Sequence, residues 1–152
     1  MTPHSEDLPR IAGPEGPLRV LVADDDAKTQ RLLAALLDFA GAYPVIARDG
    51  SEAFEAWRQS RWDLILMDVK MPLIDGLELT RIIRNAEKTE PRERTAILGV
   101  TACATWQDKK ACLSAGMDEV ISKPFSARQL FEAMEKLCGD VIRPGGSLGL
   151  LH

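Results

Sequence analysis

Apolar residues alternate between short continuous runs and longer stretches where they recur every three to four positions. Arg19-Val20-Leu21-Val22-Ala23 is the first run, β-branched in part, and predicts a strand, with order beginning near Leu18. Leu32, Leu33, Leu36, Leu37 and Ala40 then follow helical spacing and predict a helix over 27–40, closed by Gly41. Tyr43-Pro44-Val45-Ile46-Ala47 predicts a second strand, at the sheet edge because Pro44 lacks an N–H. Asp49-Gly50 makes a turn, Ser51 is the expected cap, and Ala53, Phe54 and Trp57 form the inner face of a second helix. Leu64-Ile65-Leu66-Met67 is a third strand that stops at Asp68, after which Met71-Pro72 and Asp75-Gly76 break the chain into a loop.

Leu79, Ile82, Ile83 and Ala86 mark a third helix over 76–85, and 87–94 reads as a charged, solvated loop. A fourth strand over 96–100 ends at Thr101, and a helix over 106–115 ends at Gly116. Residues 118–122 hold a fifth strand, centred on Val120 and Ile121, that ends at Lys123-Pro124. Ala127, Leu130, Phe131, Met134, Leu137 and Cys138 give a strongly amphipathic last helix, ended by Gly139. Strand and helix alternate five times with short connections. That pattern calls for a doubly wound α/β domain, a parallel sheet with helices on both faces. One domain is expected over 18–139. Proline-rich, aperiodic residues 1–17 read as a disordered leader or linker, and residues 140–152 as a C-terminal tail or linker.

Composition narrows the function. At 152 residues the chain holds one domain with a real core. A formal net charge of −4 argues against direct nucleic-acid binding and against an acidic membrane surface. No apolar run approaches the roughly 18 residues of a spanning helix, and residues 1–17 lack an apolar signal segment. Cys103, Cys112 and Cys138 show no disulfide or metal spacing and read as free thiols of a cytoplasmic protein. His4 and His152 both lie in the tails, which leaves no basis for a histidine-centred triad or metal site.

The chemistry gathers at the carboxyl ends of the strands, where open sheets of this kind bind ligands. The first strand delivers Asp24, Asp25 and Asp26, the third Asp68, the fourth Thr101 and the fifth Lys123. A glycine-rich phosphate loop is missing after the first strand, and acids stand in its place. Converging carboxylates repel one another and raise each other's pKa, a conflict that a divalent cation resolves. All-oxygen ligation favours Mg²⁺ or Mn²⁺ over zinc. Asp68 can act as a nucleophile toward phosphorus, Thr101 can donate to a phosphoryl oxygen, and Lys123 adds a point charge. Nothing in the set activates water efficiently, so an acyl phosphate would persist as a signal. Read singly, Asp26 is the N-cap of the first helix, Asp75-Gly76 a turn and helix entry, and Trp57, Trp62 and Trp106 packing or surface aromatics.

Four segments carry a resemblance: Val-Leu-Val-Ala-Asp-Asp-Asp, Leu-Met-Asp-Val-Lys-Met-Pro-Leu-Ile-Asp-Gly, Val-Thr-Ala, and Ser-Ala-Gly-Met-Asp-Glu-Val-Ile-Ser-Lys-Pro-Phe. In this order, each at a strand end, they resemble the receiver domain of two-component response regulators and hybrid histidine kinases. The resemblance implies a flavodoxin-like, five-stranded sheet in the order 2-1-3-4-5. It implies that Asp68 is the phosphoacceptor, that Asp25 ligates the metal directly, and that Asp24 acts through water. The Lys70 backbone carbonyl would be a further ligand, Thr101 the switch hydroxyl and Lys123 the phosphate-binding lysine. The Lys123-Pro124 peptide is expected to be cis. The implied partner is a histidine kinase or histidine phosphotransfer protein, in a phosphorelay or hybrid kinase system.

Three positions tune or depart from that pattern. Val120 stands where the family usually carries a switch aromatic, so a muted surface change is expected on phosphorylation. Lys70 and Cys103, two residues past Asp68 and Thr101, occupy places that influence how fast the acyl phosphate hydrolyses. Two other readings compete. An interaction-only module would lack turnover, against which the intact Asp68, Thr101 and Lys123 speak. An aspartyl-phosphate hydrolase of the haloacid dehalogenase type wants a second acid two residues after the nucleophile, where Lys70 stands.

Overall fold

A computed structural model of the chain describes residues 12–13, 16–102 and 105–139. Two short strands, β1 (Ala12–Gly13) and β2 (Gly16–Pro17), pair antiparallel just ahead of the main domain. They lie inside the stretch read as a leader, so pairing begins slightly before Leu18. The domain is then β3 (Arg19–Ala23), α1 (Ala27–Phe39), β4 (Tyr43–Ala47), α2 (Gly50–Gln59), β5 (Leu64–Asp68), α3 (Gly76–Thr89), β6 (Ala96–Thr101), α4 (Trp106–Ala115), β7 (Glu119–Ser122) and α5 (Ala127–Cys138). All neighbouring strands of the main sheet are parallel and run in the order β4-β3-β5-β6-β7. Numbered among themselves, these five strands have the expected order 2-1-3-4-5. Pro44 sits on the edge strand β4, where its missing N–H breaks no ladder on the outer side.

The alternation of side chains along each strand divides the core in two. Val20, Val22, Leu64, Leu66 and Leu98 point to one face and pack with Leu33 and Leu37 of α1 and Leu130, Phe131 and Met134 of α5. Leu21, Ala23, Ile65, Met67 and Ile97 point to the other and meet Trp57 of α2, Leu79 and Ile83 of α3 and Cys112 of α4. Both faces are covered, which explains why the strands read as unbroken apolar runs.

Two local expectations are corrected. Asp49, not Ser51, caps α2: its carboxylate accepts the Glu52 N–H at 2.8 Å, and Ser51 lies within the first turn. The third helix runs past 85 to Thr89, so Glu87 to Thr89 are helical rather than loop. Glu87 is also not solvated. Its carboxylate takes Arg84 Nη1 at 2.7 Å and the Thr95 N–H at 2.7 Å, tying the helix end to the start of β6. Tail residues His4 and His152, and Cys103, fall outside the described residues.

Candidate functional site

Each strand of the parallel sheet ends on the same side, so the residues just past Ala23, Met67, Val100 and Ser122 meet there. Asp24 is buried and fixed from two directions. Its Oδ1 accepts the Asp26 N–H at 2.8 Å, and its carbonyl accepts Gln30 Nε2 at 2.7 Å. Asp26 itself caps α1, with Oδ2 taking the Thr29 N–H at 2.9 Å and the Thr29 hydroxyl at 2.8 Å. Those two bonds hold the Asp26 carboxyl below the usual range. Asp25, between them, is exposed. The middle acid is thus presented to solvent, while its neighbours are held by the turn into α1.

Asp68 closes β5 and is buried. Burial, reinforced by the Asp24 charge, pushes its pKa from 3.8 up to about 6 despite the opposing Lys123. One carboxylate oxygen from each of Asp24, Asp25 and Asp68 lies within 4.8 Å of the others. Lys123, half-buried at the end of β7, places Nζ 3.2 Å from Asp24 Oδ2 and 3.5 Å from Asp68 Oδ1. Burial works against its ammonium, but Asp24 and Asp68 outweigh that and hold its pKa above the ordinary value. The Lys123 N–H donates to the Thr101 carbonyl at 2.8 Å, and the Lys123-Pro124 peptide is cis. Thr101 is buried at the end of β6, one residue past Val100, which pairs with Asp68. Thr105 caps α4, its hydroxyl accepting the Asp108 N–H at 3.1 Å.

The sequence-predicted Asp24, Asp25, Asp68, Thr101 and Lys123 therefore lie at one end of the sheet, where β3, β5, β6 and β7 finish. Lys70 is exposed, two residues beyond Asp68 in the β5–α3 loop. Val120 lies apart from the acids, buried beside Met117 in the core on the α3 and α4 face. Cys103 lies outside the described residues. Two supporting residues escaped the sequence reading. Gln30 holds the Asp24 carbonyl from the first turn of α1, and its sole signal is a polar residue five positions past the acidic pair. Gly76 reads as a helix entry, yet its need for glycine is a close approach. A Cβ there would stand 2.2 Å from the Asp68 carbonyl oxygen and 2.9 Å from Val69 Cα.

The donor set fits a hard divalent cation. Three carboxylate oxygens converge, Asp68 holds a proton more readily than usual because it is buried and because Asp24 stands beside it, and the nearby positive charge is a lysine to one side. Acids so arranged with a nucleophilic carboxylate at the centre can bring together a metal and a phosphoryl group.

Comparison with known proteins places this arrangement. The chain is 37% identical over 128 residues to hybrid signal transduction histidine kinase K of Dictyostelium discoideum, covering 82% of this chain and 11% of that protein. It is 38% identical over 125 residues to the sensor protein GacS of Pseudomonas syringae, covering 82% of this chain and 14% of that one. The chain thus spans a small fraction of the length of these curated relatives. Among solved structures, it resembles the receiver domain of a sensor histidine kinase from Pseudomonas aeruginosa PAO1, solved with a magnesium ion in its active-site cleft. The TM-score is 0.74 and the identity 31%, with 82% of this chain and 100% of that one covered. Residues 20–135 match the family described as response regulator receiver domain, and the chain belongs to that family.

Proposed function

We propose that this chain is the phosphoacceptor of a phosphorelay or hybrid kinase system and that Asp68 takes the phosphoryl group. The donor is a phospho-histidine on a histidine kinase or histidine phosphotransfer protein. The observation that carries this reading is the placement of Asp68: buried at the end of β5, its carboxylate within 4.8 Å of Asp24 and Asp25 oxygens, with Lys123 Nζ 3.5 Å away. A carboxylate oxygen of Asp68 attacks phosphorus, the P–N bond of the donor breaks, and its electron pair returns to the imidazole, which takes up a proton. The product is an acyl phosphate on Asp68.

Asp24, Asp25, Asp68 and the Lys70 carbonyl are the groups that would hold Mg²⁺ or Mn²⁺. Bound there, the cation supplies positive charge against the phosphoryl oxygens. Lys123 supplies the second counter-charge, and its two carboxylate contacts keep it protonated and aimed at the site. Thr101 donates its hydroxyl to a phosphoryl oxygen from the neighbouring strand. Among the described residues, no helix is long and apolar enough to cross a membrane. The partner set and the free thiols fit a cytoplasmic module that contacts neither nucleic acid nor lipid.

Incubation with Mg²⁺ and a small phosphodonor tests the reading by intact mass. The expected result is a gain of one phosphoryl group, lost in Asp68→Asn and in chelator. No gain rejects Asp68 as acceptor and leaves the interaction-only module as the better account, whereas an equal gain in Asp68→Asn rejects Asp68 and places the phosphoryl group on another residue.

A further inference from the structure

The opposite end of the sheet, where the strands begin, carries a cleft of about 680 Å³ between the starts of β3, β5 and β6. It lies roughly 16 Å from the acidic site, the length of a five-residue strand. Its walls bear Arg19, Arg61, Arg92 and Arg94 against two carboxylates, Asp63 and Glu93, an excess of two positive charges on a chain whose net charge is −4.

Three of the four arginines are answered. Arg61 pairs with Glu93 at 3.3 Å on the exposed rim, and Arg94 pairs with Asp118. Arg92 lies over the Trp57 ring at 3.9 Å and donates Nη2 to the Ser60 carbonyl at 2.7 Å. Arg19 is different. Its guanidinium lies over the Trp62 ring at 4.7 Å and near Tyr43 at 5.8 Å. Its Nε is buried with no hydrogen-bond partner among the described residues. Asp63 takes the Arg19 backbone N–H on Oδ2 at 2.8 Å but makes no bond to Nε. A buried donor without an acceptor is costly and unusual in a native interior. Arg19 also forms part of the wall of an open cleft, so a turn of its guanidinium toward the cleft brings Nε to an acceptor bound there.

We propose that this cleft binds a small multivalent phosphate anion of the pyrophosphate class, with Arg19 as its anchor. The cavity is of a size that takes a small molecule. Trp62 in the cleft wall already carries the Arg19 guanidinium over its ring, which leaves less of it for a flat base to stack on. The guanidinium donors reach the cleft from three chain segments, a spread that suits a tetrahedral phosphate better than a planar carboxylate. The carboxylates of Asp63 and Glu93 in the same walls disfavour a long polyanion lying across it.

The test is an amide-spectrum titration of the full chain with pyrophosphate, free of divalent cations, repeated with citrate. Saturable shifts centred on Arg19, Trp62 and residues 92–95, and at least tenfold weaker binding in Arg19→Gln, are expected. Arg92→Gln should weaken binding as well, and it keeps the test open if Arg19→Gln does not fold. No saturable shift at millimolar pyrophosphate overturns the proposal. So do shifts centred on the Asp25 and Asp68 end, unchanged affinity in the folded arginine variants, or citrate binding as tightly as pyrophosphate.

Discussion

Asp68 is held where its charge is expensive, and that expense has a measurable sign. Its pKa rises from 3.8 to about 6 on folding. The folded chain therefore holds this proton more tightly than the unfolded chain does. The stability linked to it is full below about pH 4 and is lost as pH rises through about 6. The shift corresponds to about 3 kcal/mol before neighbouring charges readjust. Without divalent cations, Asp68→Asn is expected to stabilise the chain by about 1–3 kcal/mol more at about pH 7.5 than at about pH 4. Urea unfolding of parent and variant at both pH values checks this, and a pH-independent difference would refute it. Lys70 acts on a different quantity. It is exposed beside the site, where a long cationic side chain can hinder the attacking water or pair with an acid. Lys70→Asn is expected to change the lifetime of the acyl phosphate more than the affinity for Mg²⁺. Phosphoryl decay by mass and metal titration separate the two effects.

At the scale of elements, the β5–α3 connection is the least forgiving. Asp75 caps α3, with Oδ1 accepting the Glu78 N–H at 2.8 Å, and the Gly76 N–H donates to the Val69 carbonyl at 2.8 Å. The helix thus starts against the backbone that carries Asp68. Gly76→Ala would drive a Cβ into the Asp68 carbonyl oxygen. A loss of about 2 kcal/mol or more in urea unfolding is expected, together with weaker Mg²⁺ binding, because the displaced atom belongs to the site residue itself. An unchanged Mg²⁺ affinity would mean that the loop gives way elsewhere. This contact also shows what a sequence can and cannot disclose. Unbroken apolar runs revealed the five strands of the main sheet and apolar residues at helical spacing most of the helices, because both sheet faces are covered by helices that need apolar stripes. The acids at strand ends were legible because few other roles need them there. Glu87 was not, since charge alone suggests solvent, whereas its partners Arg84 and Thr95 are brought by the fold. The glycine requirement at 76 and the Gln30 contact are likewise tertiary, set by distances that no local pattern encodes.

Across the whole molecule, the two ends of the sheet are built for opposite charges: three acids where the strands finish, four arginines where they begin. The acidic end destabilises the metal-free fold, so a cation bound there should stabilise it by mass action. At a hundred times its dissociation constant, a ligand specific for the folded state adds about 2.7 kcal/mol. Mg²⁺ is accordingly expected to raise the melting temperature by several degrees in the parent and by much less in Asp25→Ala, which removes the exposed acid. How far a phosphoryl group on Asp68 is felt is a separate question, and Val120 bears on it. This side chain is buried beside Met117, and a Cβ on Gly99 of the neighbouring strand would meet its Cγ2 at 3.6 Å. A compact β-branched residue in that slot has no ring to swing between an inward and an outward position. Amide spectra with Mg²⁺, taken with and without a phosphoryl mimic, should therefore change strongly around Asp25, Asp68 and Thr101. They should change weakly over the face formed by α4, β7 and α5. Large shifts spread across that face would show that the signal leaves the site by a route that does not need an aromatic ring.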